Sequence, residues 1–302
     1  MHLSMHNWMR QEPIDVTLER LASCGYQSIE ISGEPTRFDT KEVKGHLDRL
    51  GLRCWGSVTL MTVGRDLVHE DPYVRLGSVQ YLKDCVRMIN ELGGEIFCVV
   101  PSTVGKVSPM ASPEEEWQWA VDGLKEVVAV AEPLGVRLGI EPLNRFETYF
   151  INRHDQALRL ASDVGGNCGI VLDAFHINIE EADPLAAIRA AGDHLVDFHV
   201  ADNNRFPPGQ GNWDWPALID TLKEVGYDGA LTAEFVMPID RSPVATAHDV
   251  EEEGAEMTIG MDKFIRDHGS GALSDAYYTK MVRECAEFLT PLIERAPVTQ
   301  GA

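Results

Sequence analysis

Positive charge is scarce in this sequence. Its 302 residues carry 26 Lys and Arg against 48 Asp and Glu, a net charge of −22. Such a chain is repelled by phosphate backbones and by anionic membrane surfaces, so nucleic acid and membranes are excluded as expected partners. The remaining use of the acid excess is solubility. No apolar run approaches the roughly 20 residues of a membrane-spanning helix. The N-terminus, MHLSMHNWMRQEP, lacks the charged-then-apolar pattern of a secretory leader. No Cys-x-x-Cys is present: Cys24, Cys54, Cys85, Cys98, Cys168 and Cys285 are scattered, mostly among apolar neighbours. Buried, reduced thiols in a soluble cytoplasmic protein are the expectation. A Gly-x-Gly-x-x-Gly turn is also missing after the first apolar run, which argues against a dinucleotide-binding open sheet.

What is present is an alternation. Short apolar runs, read as strands, are separated by stretches of helical period that end at glycine. The strands are an apolar run reaching His6, then Ser28 to Ile31, Leu52 to Thr59 and Ile96 to Val100. Arg137 to Glu141, Cys168 to Asp173, Leu195 to His199 and Ala230 to Phe235 follow. The helices are Val16 to Cys24, Lys41 to Leu50, Asp71 to Leu92 and Ser112 to about Leu134. After them come His154 to Val164, Pro184 to Ala191, Trp215 to Val225 and Ser274 to Ile293. Eight strand-helix rounds predict an α/β fold, a closed (β/α)8 TIM barrel in one domain over residues 1–302. An irregular insert at about 236–271, with an acidic patch at Asp249 to Glu253, separates strand eight from the last helix. It reads either as a lid or as a surface excursion with short helices of its own.

Barrel active sites lie at the C-terminal ends of the strands. Strand five ends in Glu141, six in Asp173, seven in His199 and eight in Glu234, at spacings of 32, 26 and 35 residues. One such acid alone would cap the next helix, and one such histidine would sit hydrogen-bonded in the core. Four on consecutive strands converge above the barrel mouth. Three carboxylates and one imidazole form an oxygen-rich site suited to Mn²⁺, Co²⁺ or Mg²⁺ rather than a structural zinc. Glu147, His176 and Arg205 follow three of these residues at short distance. They would either ring a polyhydroxylated substrate or, for Glu147 and Arg205, form an ordinary loop ion pair. His176 has a further alternative, orienting a ligand. Trp213 and Trp215 read as packing under their loop.

The segments EPLNRFET, LDAFHINIEE, DFHVADNNRFPPGQGNWDW and GYDGALTAEF resemble those of the xylose isomerase-like barrels, and most of all the ketose 3-epimerases of the D-tagatose and D-psicose type. The resemblance is strong from Leu138 to Phe235. It implies one divalent metal, Mn²⁺ before Co²⁺ or Mg²⁺, on Glu141, Asp173, His199 and Glu234. It also implies substrate contacts from Glu147, His176 and Arg205. Two features depart from the epimerases. The glycine-rich turn after the last glutamate is absent and Phe264-Ile265-Arg266-Asp267 arrives late. The strand end MHNWMR, with His6, does not match an epimerase pocket.

A related branch is the large subunit of C-glycoside deglycosidases, carbon-carbon lyases that act on 3-oxo-glucosides with a small β subunit. Both branches imply proton abstraction next to a carbonyl. In the epimerase version Glu141 and Glu234 exchange the proton on opposite faces of one carbon. In the lyase version a histidine, His176 or His6, is the base. The expected partner is a non-phosphorylated keto sugar or sugar conjugate, since no basic cluster marks a phosphate grip. A homo-oligomer, or a hetero-oligomer with a small β subunit, is the expected assembly. A multi-zinc nuclease of the endonuclease IV type needs a basic groove that this chain lacks. A metal-free scaffold barrel fits the four intact ligands less well, and a two-metal aldose isomerase is disfavoured because no second carboxylate cluster follows strand seven.

Overall fold

The computed structural model describes residues 1–237, 270–271 and 273–296. Its strands are β1 (His2–Met5), β2 (Ser28–Ser32), β3 (Arg53–Val58), β4 (Ile96–Val99), β5 (Arg137–Ile140), β6 (Gly169–Asp173), β7 (Leu195–Val200) and β8 (Ala230–Ala233). The helices are α1 (Ile14–Ser23), α2 (Thr40–Leu50), α3 (Pro72–Leu92), α4 (Pro113–Ala131), α5 (His154–Val164), α6 (Ala174–Glu180), α7 (Pro184–Ala191), α8 (Trp215–Glu224) and α9 (Asp275–Glu294). All strand pairs are parallel, in the order β1-β8-β7-β6-β5-β4-β3-β2. This is the (β/α)8 barrel that the alternation predicts.

The seam of the barrel lies between β1 and β2. There an isolated bridge joins His6 to Glu30. Around it, Gln27 N donates to Leu3 O at 3.1 Å, Leu3 N to Gln27 Oε1 at 2.8 Å and Ser32 N to Asn7 Oδ1 at 2.6 Å. Isolated backbone bonds and two side-chain acceptors thus complete a closure that the regular ladder leaves open.

Local chemistry sets the element ends. Asp71 caps α3 through Tyr73 N, with Pro72 in the first turn, and Gly93 at φ 77° ends it. Ser112 and Glu115 form a capping box at α4. The helix expected to reach Leu134 stops at Ala131, and Glu132–Leu134 continue as a tighter turn. Pro133 cannot donate the next helical bond. The short α6 is not among the sequence expectations. The insert expected at 236–271, with Phe264–Asp267 and the acidic patch, falls almost wholly outside the described residues.

The main core fills the space between the outer strand faces and the helices. A second apolar cluster of Trp55, Ile96, Cys98, Val171, Val196 and Ala230 packs inside the barrel. Gly139 is required there: a Cβ on it would stand 2.5 Å from both Val171 and Val196. The six cysteines are buried and unpaired. Among the described residues no helix is long and apolar enough to cross a membrane.

Candidate metal centre

Strand register brings the four expected residues together. Asp173 and His199 are direct partners across β6 and β7. Glu141 and Glu234 stand one residue beyond β5 and β8, and both are still tied to the neighbouring strand. Glu141 N donates to Val99 O and Glu234 N to Val200 O, each at 3.0 Å. The backbone of all four is therefore fixed before any side chain acts. All four side chains are buried, and one ligating atom from each lies within 4.8 Å of the others.

His199 is the hub. Its Nδ1 lies 3.1 Å from Glu141 Oε1 and 3.3 Å from Glu234 Oε2. Asp173 Oδ2 accepts from Arg205 Nη1 at 2.7 Å, and Asp173 Oδ1 caps α6 by accepting from Phe175 N at 2.8 Å. Glu234 is gripped on both oxygens: Trp8 Nε1 donates to Oε1 at 3.0 Å, and Arg205 Nη2 lies 3.3 Å from Oε2. Glu141 Oε2 accepts from the Cys98 thiol at 3.2 Å.

The charges are strongly coupled. Burial pushes the Asp173 carboxyl up to about 6, against the pull of Arg205 and His176. Burial also opposes ionisation of Glu141, but His199 holds it below the usual carboxylate range. For Glu234, Arg205 and His6 overcome the burial cost and hold it well below that range. Burial would lower His199, yet Glu141 and Glu30 keep it well above an ordinary histidine. Burial lowers His6 to about 4, so it is neutral at pH 7.

The residues fit a hard divalent cation. Three carboxylates and one imidazole nitrogen converge, and the buried Glu234 Oε2 has no directed hydrogen bond among the described residues. Negative charge concentrated this way, with one guanidinium and one imidazole against it, is the electrostatic demand that a bound cation meets.

The expected substrate-side residues line the same end of the barrel. His176 Nδ1 accepts from Asn144 Nδ2 at 2.9 Å and from Asn144 N at 3.2 Å, which leaves Nε2 to carry the proton, 3.6 Å from Asp173 Oδ2. Glu147 Oε1 accepts from Asn144 Nδ2 at 2.8 Å. Glu147 and Arg205 do not form the alternative loop ion pair among the described residues: Arg205 is spent on Asp173 and Glu234 and lies 4.5 Å above the Phe175 ring. His6 is fully buried, edge-on to the His199 ring at 4.5 Å and 3.8 Å from Glu234 Oε1. Trp215 is buried, donating to Asp202 Oδ2 at 2.8 Å, and Trp213 donates to Ala174 O at 3.2 Å. Both pack the loop, as their sequence reading has it.

One residue at the site, Trp8, is missing from the sequence reading, and one that the reading names, Arg205, has an unusual backbone. Trp8 follows β1 and reaches Glu234, though nothing in MHNWMR marks which side chain turns inward. Arg205 holds a left-handed backbone at φ 63°, set by its own N–H to Asp202 O (2.9 Å) and by Val236 N to its carbonyl (2.8 Å). Such strain in a non-glycine residue gathers at functional sites. A cavity of about 520 Å³ opens at the opposite, N-terminal end of the barrel, around Trp55, Arg137 and Tyr227. None of the candidate ligand groups borders it.

Comparison with known proteins agrees with this fold. The sequence model of the xylose isomerase-like TIM barrel family matches residues 18–258. The chain is 28% identical over 280 residues to D-psicose 3-epimerase of Ruminiclostridium cellulolyticum, covering 89% of this chain and 92% of that protein. It is 30% identical over 223 residues to 3-dehydro-D-guloside 4-epimerase of Escherichia coli, covering 70% and 82%. The crystal structure of D-psicose 3-epimerase with D-tagatose from Clostridium cellulolyticum H10 superposes with a TM-score of 0.81. It shares 22% identity and covers 98% of this chain and 100% of that one.

Proposed function

The chain belongs to the xylose isomerase-like TIM barrel family, and from that premise we propose that it is a divalent-metal-dependent sugar epimerase acting on a keto sugar. The observation that carries this reading is the cluster of Glu141, Asp173, His199 and Glu234, buried at the carboxyl ends of four consecutive strands. The sugar epimerases among its relatives support the reaction class.

Glu141, Asp173, His199 and Glu234 would hold the cation, with Mn²⁺ preferred over Co²⁺ or Mg²⁺ for three oxygens and one nitrogen. Bound there, it supplies Lewis-acid stabilisation of the charge that develops when a C–H bond beside a carbonyl breaks. The protein supplies the proton chemistry. Glu141 and Glu234 come from strands on either side of β6 and β7, an arrangement that would let them face a sugar carbon from two directions. One accepts its proton and the other delivers a proton to the far face, which inverts the centre. Asp173 and His199 stay in place as ligands. His176 donates from Nε2, and Glu147, Arg205 and, from the floor, His6 hold sugar oxygens and select the carbon.

The test is incubation of the Mn²⁺-loaded protein with ketohexoses in D₂O. A C3 epimer carrying deuterium at C3 is expected, lost on chelation and restored by Mn²⁺. Absence of both epimer and label from every ketohexose tried sinks the ketose reading.

A second reading is favoured by the relative named for 3-dehydro-D-guloside, a 3-oxo sugar conjugate. Enolisation of a 3-oxo-glucoside at the same centre, with His176 or His6 as base, would allow epimerisation or expulsion of a C-linked aglycone. Incubation with a 3-oxo-C-glucoside, with and without a small β subunit, decides it. Neither deuterium uptake nor released aglycone excludes this branch.

A further inference from the structure

Beneath the four-residue cluster, two more carboxylates face His199 from inside the barrel. Asp197 stands two residues before His199 on β7, so both side chains enter the lumen. Three donors anchor Asp197 Oδ1: Phe198 N at 2.9 Å, Trp55 Nε1 at 3.0 Å and Tyr227 OH at 3.3 Å. Asp197 Oδ2 has no directed hydrogen bond and lies 3.5 Å from His199 Nε2. Glu30, drawn in by the seam bridge to His6, places Oε2 at 3.3 Å from the same nitrogen. All three side chains are fully buried. Neither contact alone has the geometry of a directed hydrogen bond, and the Nε2 edge faces a pair of carboxyl groups. On the opposite edge of the ring, Nδ1 faces Glu141 and Glu234.

An imidazole has one proton to place when neutral. If the acceptors below take Nε2–H, the lone pair on Nδ1 points up into the cluster. Resting on the metal-centre reading above, we propose that Asp197 and Glu30 are positioning residues: they hold His199 in the Nε2–H tautomer and aim Nδ1 at the cation. Neither touches the substrate. The energetic argument points the same way. Buried carboxylates facing an imidazole are weak evidence for a role in stability, because the cost of desolvating them can exceed the attraction. Their place in the lumen is explained by what they do to the ring. An amide at either position offers an N–H to Nε2 and so favours the tautomer protonated at Nδ1, which has no lone pair for a metal.

The experiment uses the full chain and three measurements: Mn²⁺ binding from the electron-spin signal of free Mn²⁺, the visible spectrum with Co²⁺, and melting without metal. The variants are Asp197→Asn and Glu30→Gln, which keep the shape and remove the charge. Wild type is expected to bind one Mn²⁺ per chain. Each variant is expected to melt no lower than wild type without metal, to bind Mn²⁺ roughly 10–100-fold more weakly, and to shift the Co²⁺ spectrum. Variants that bind Mn²⁺ within threefold of wild type, with an unchanged Co²⁺ spectrum, overturn the proposal. So does a drop in melting temperature with affinity intact, the mark of a purely structural role. If Asp197→Asn does not fold, Glu30→Gln and Tyr227→Phe decide; the latter frees one anchor of Asp197 and should weaken Mn²⁺ binding several-fold. A wild type that binds no metal removes the metal-centre reading itself, a result distinct from variants that match a metal-binding wild type.

Discussion

Trp8 donates its indole N–H to Glu234 Oε1 across 3.0 Å, tying the turn after β1 to the residue just past β8. A hydrogen bond to a charged partner contributes about 1.5–3 kcal/mol. Trp8→Phe keeps the ring volume and removes the donor. Glu234 then loses its grip on Oε1 while Arg205 still holds the Oε2 side. The expected outcome is a fall in kcat of roughly tenfold, with Mn²⁺ affinity changed by less than about fivefold. Steady-state kinetics beside a metal titration checks this. An unchanged kcat shows that the bond does not position Glu234 for proton transfer.

Arg205 competes for the same carboxylates that would hold a cation. Its guanidinium contacts Asp173 and Glu234, and its backbone is strained at φ 63°. Arg205→Ala removes the competing charge and keeps the strain. Arg205→Gly removes both and should be more stable than the alanine variant by about 1 kcal/mol. Both variants should bind Mn²⁺ at least as tightly as wild type, yet lose at least about 100-fold in kcat/KM on the sugar. Calorimetric metal titration and thermal melting separate these effects. Weaker metal binding in both variants rules out the competition.

The sequence shows the barrel clearly and its site in part, for physical reasons. Strand ends carrying Glu141, Asp173, His199 and Glu234 are visible because a polar residue closing an apolar run has few other uses. Helices α5 and α7 keep the limits expected from their period, since each has a clear apolar face and a glycine behind it. By contrast, α6 spans only seven residues, too few for the period of DAFHINIE to show, and it exists because Asp173 caps it. The left-handed Arg205 is set by a local turn bond to Asp202 O and a tertiary bond from Val236 N rather than by its own residue type. Trp8 reaches the site through the pairing of β1 with β8, and Glu30 through closure of the barrel at the β1–β2 seam. Asp197 does carry a local signal, the i, i+2 spacing to His199 in DFH, which places both on one strand face.

Away from the site, His154 sets a pH dependence of stability. Glu181 Oε1 takes 2.8 Å bonds from both His154 Nδ1 and His154 N at the start of α5. The hydrogen bond from Glu181 raises the histidine above its ordinary value of 6.5, against partial burial. A raised folded value means that the stabilisation is fully present below pH 6.5 and is lost as pH rises through the folded value. The pair is partly solvent-screened, so its contribution stays under about 1 kcal/mol. His154→Asn should therefore lose stability against wild type at pH 6 but match it at pH 9. Chemical denaturation at the two pH values checks the sign. An equal difference at both shows that the charge is not involved.

Asp173 performs two tasks with two oxygens, and substitution separates them. Oδ1 caps α6 through Phe175 N, whereas Oδ2 faces Arg205 and the cluster. Asp173→Asn retains a cap-competent oxygen, so the metal-free protein should melt close to wild type. Asp173→Ala loses the cap and should cost about 1 kcal/mol in the same measurement. Both lose a carboxylate from the cluster. For wild type, Mn²⁺ at 100 times its Kd should add about 2.7 kcal/mol of stability, seen as a rise in Tm that chelation reverses. In both variants that rise should shrink or vanish. Melting curves with Mn²⁺ and with chelator, on three proteins, give every comparison. A full Mn²⁺-dependent rise in Asp173→Asn removes Asp173 from the ligand set, and equal metal-free melting of the asparagine and alanine variants removes its capping role.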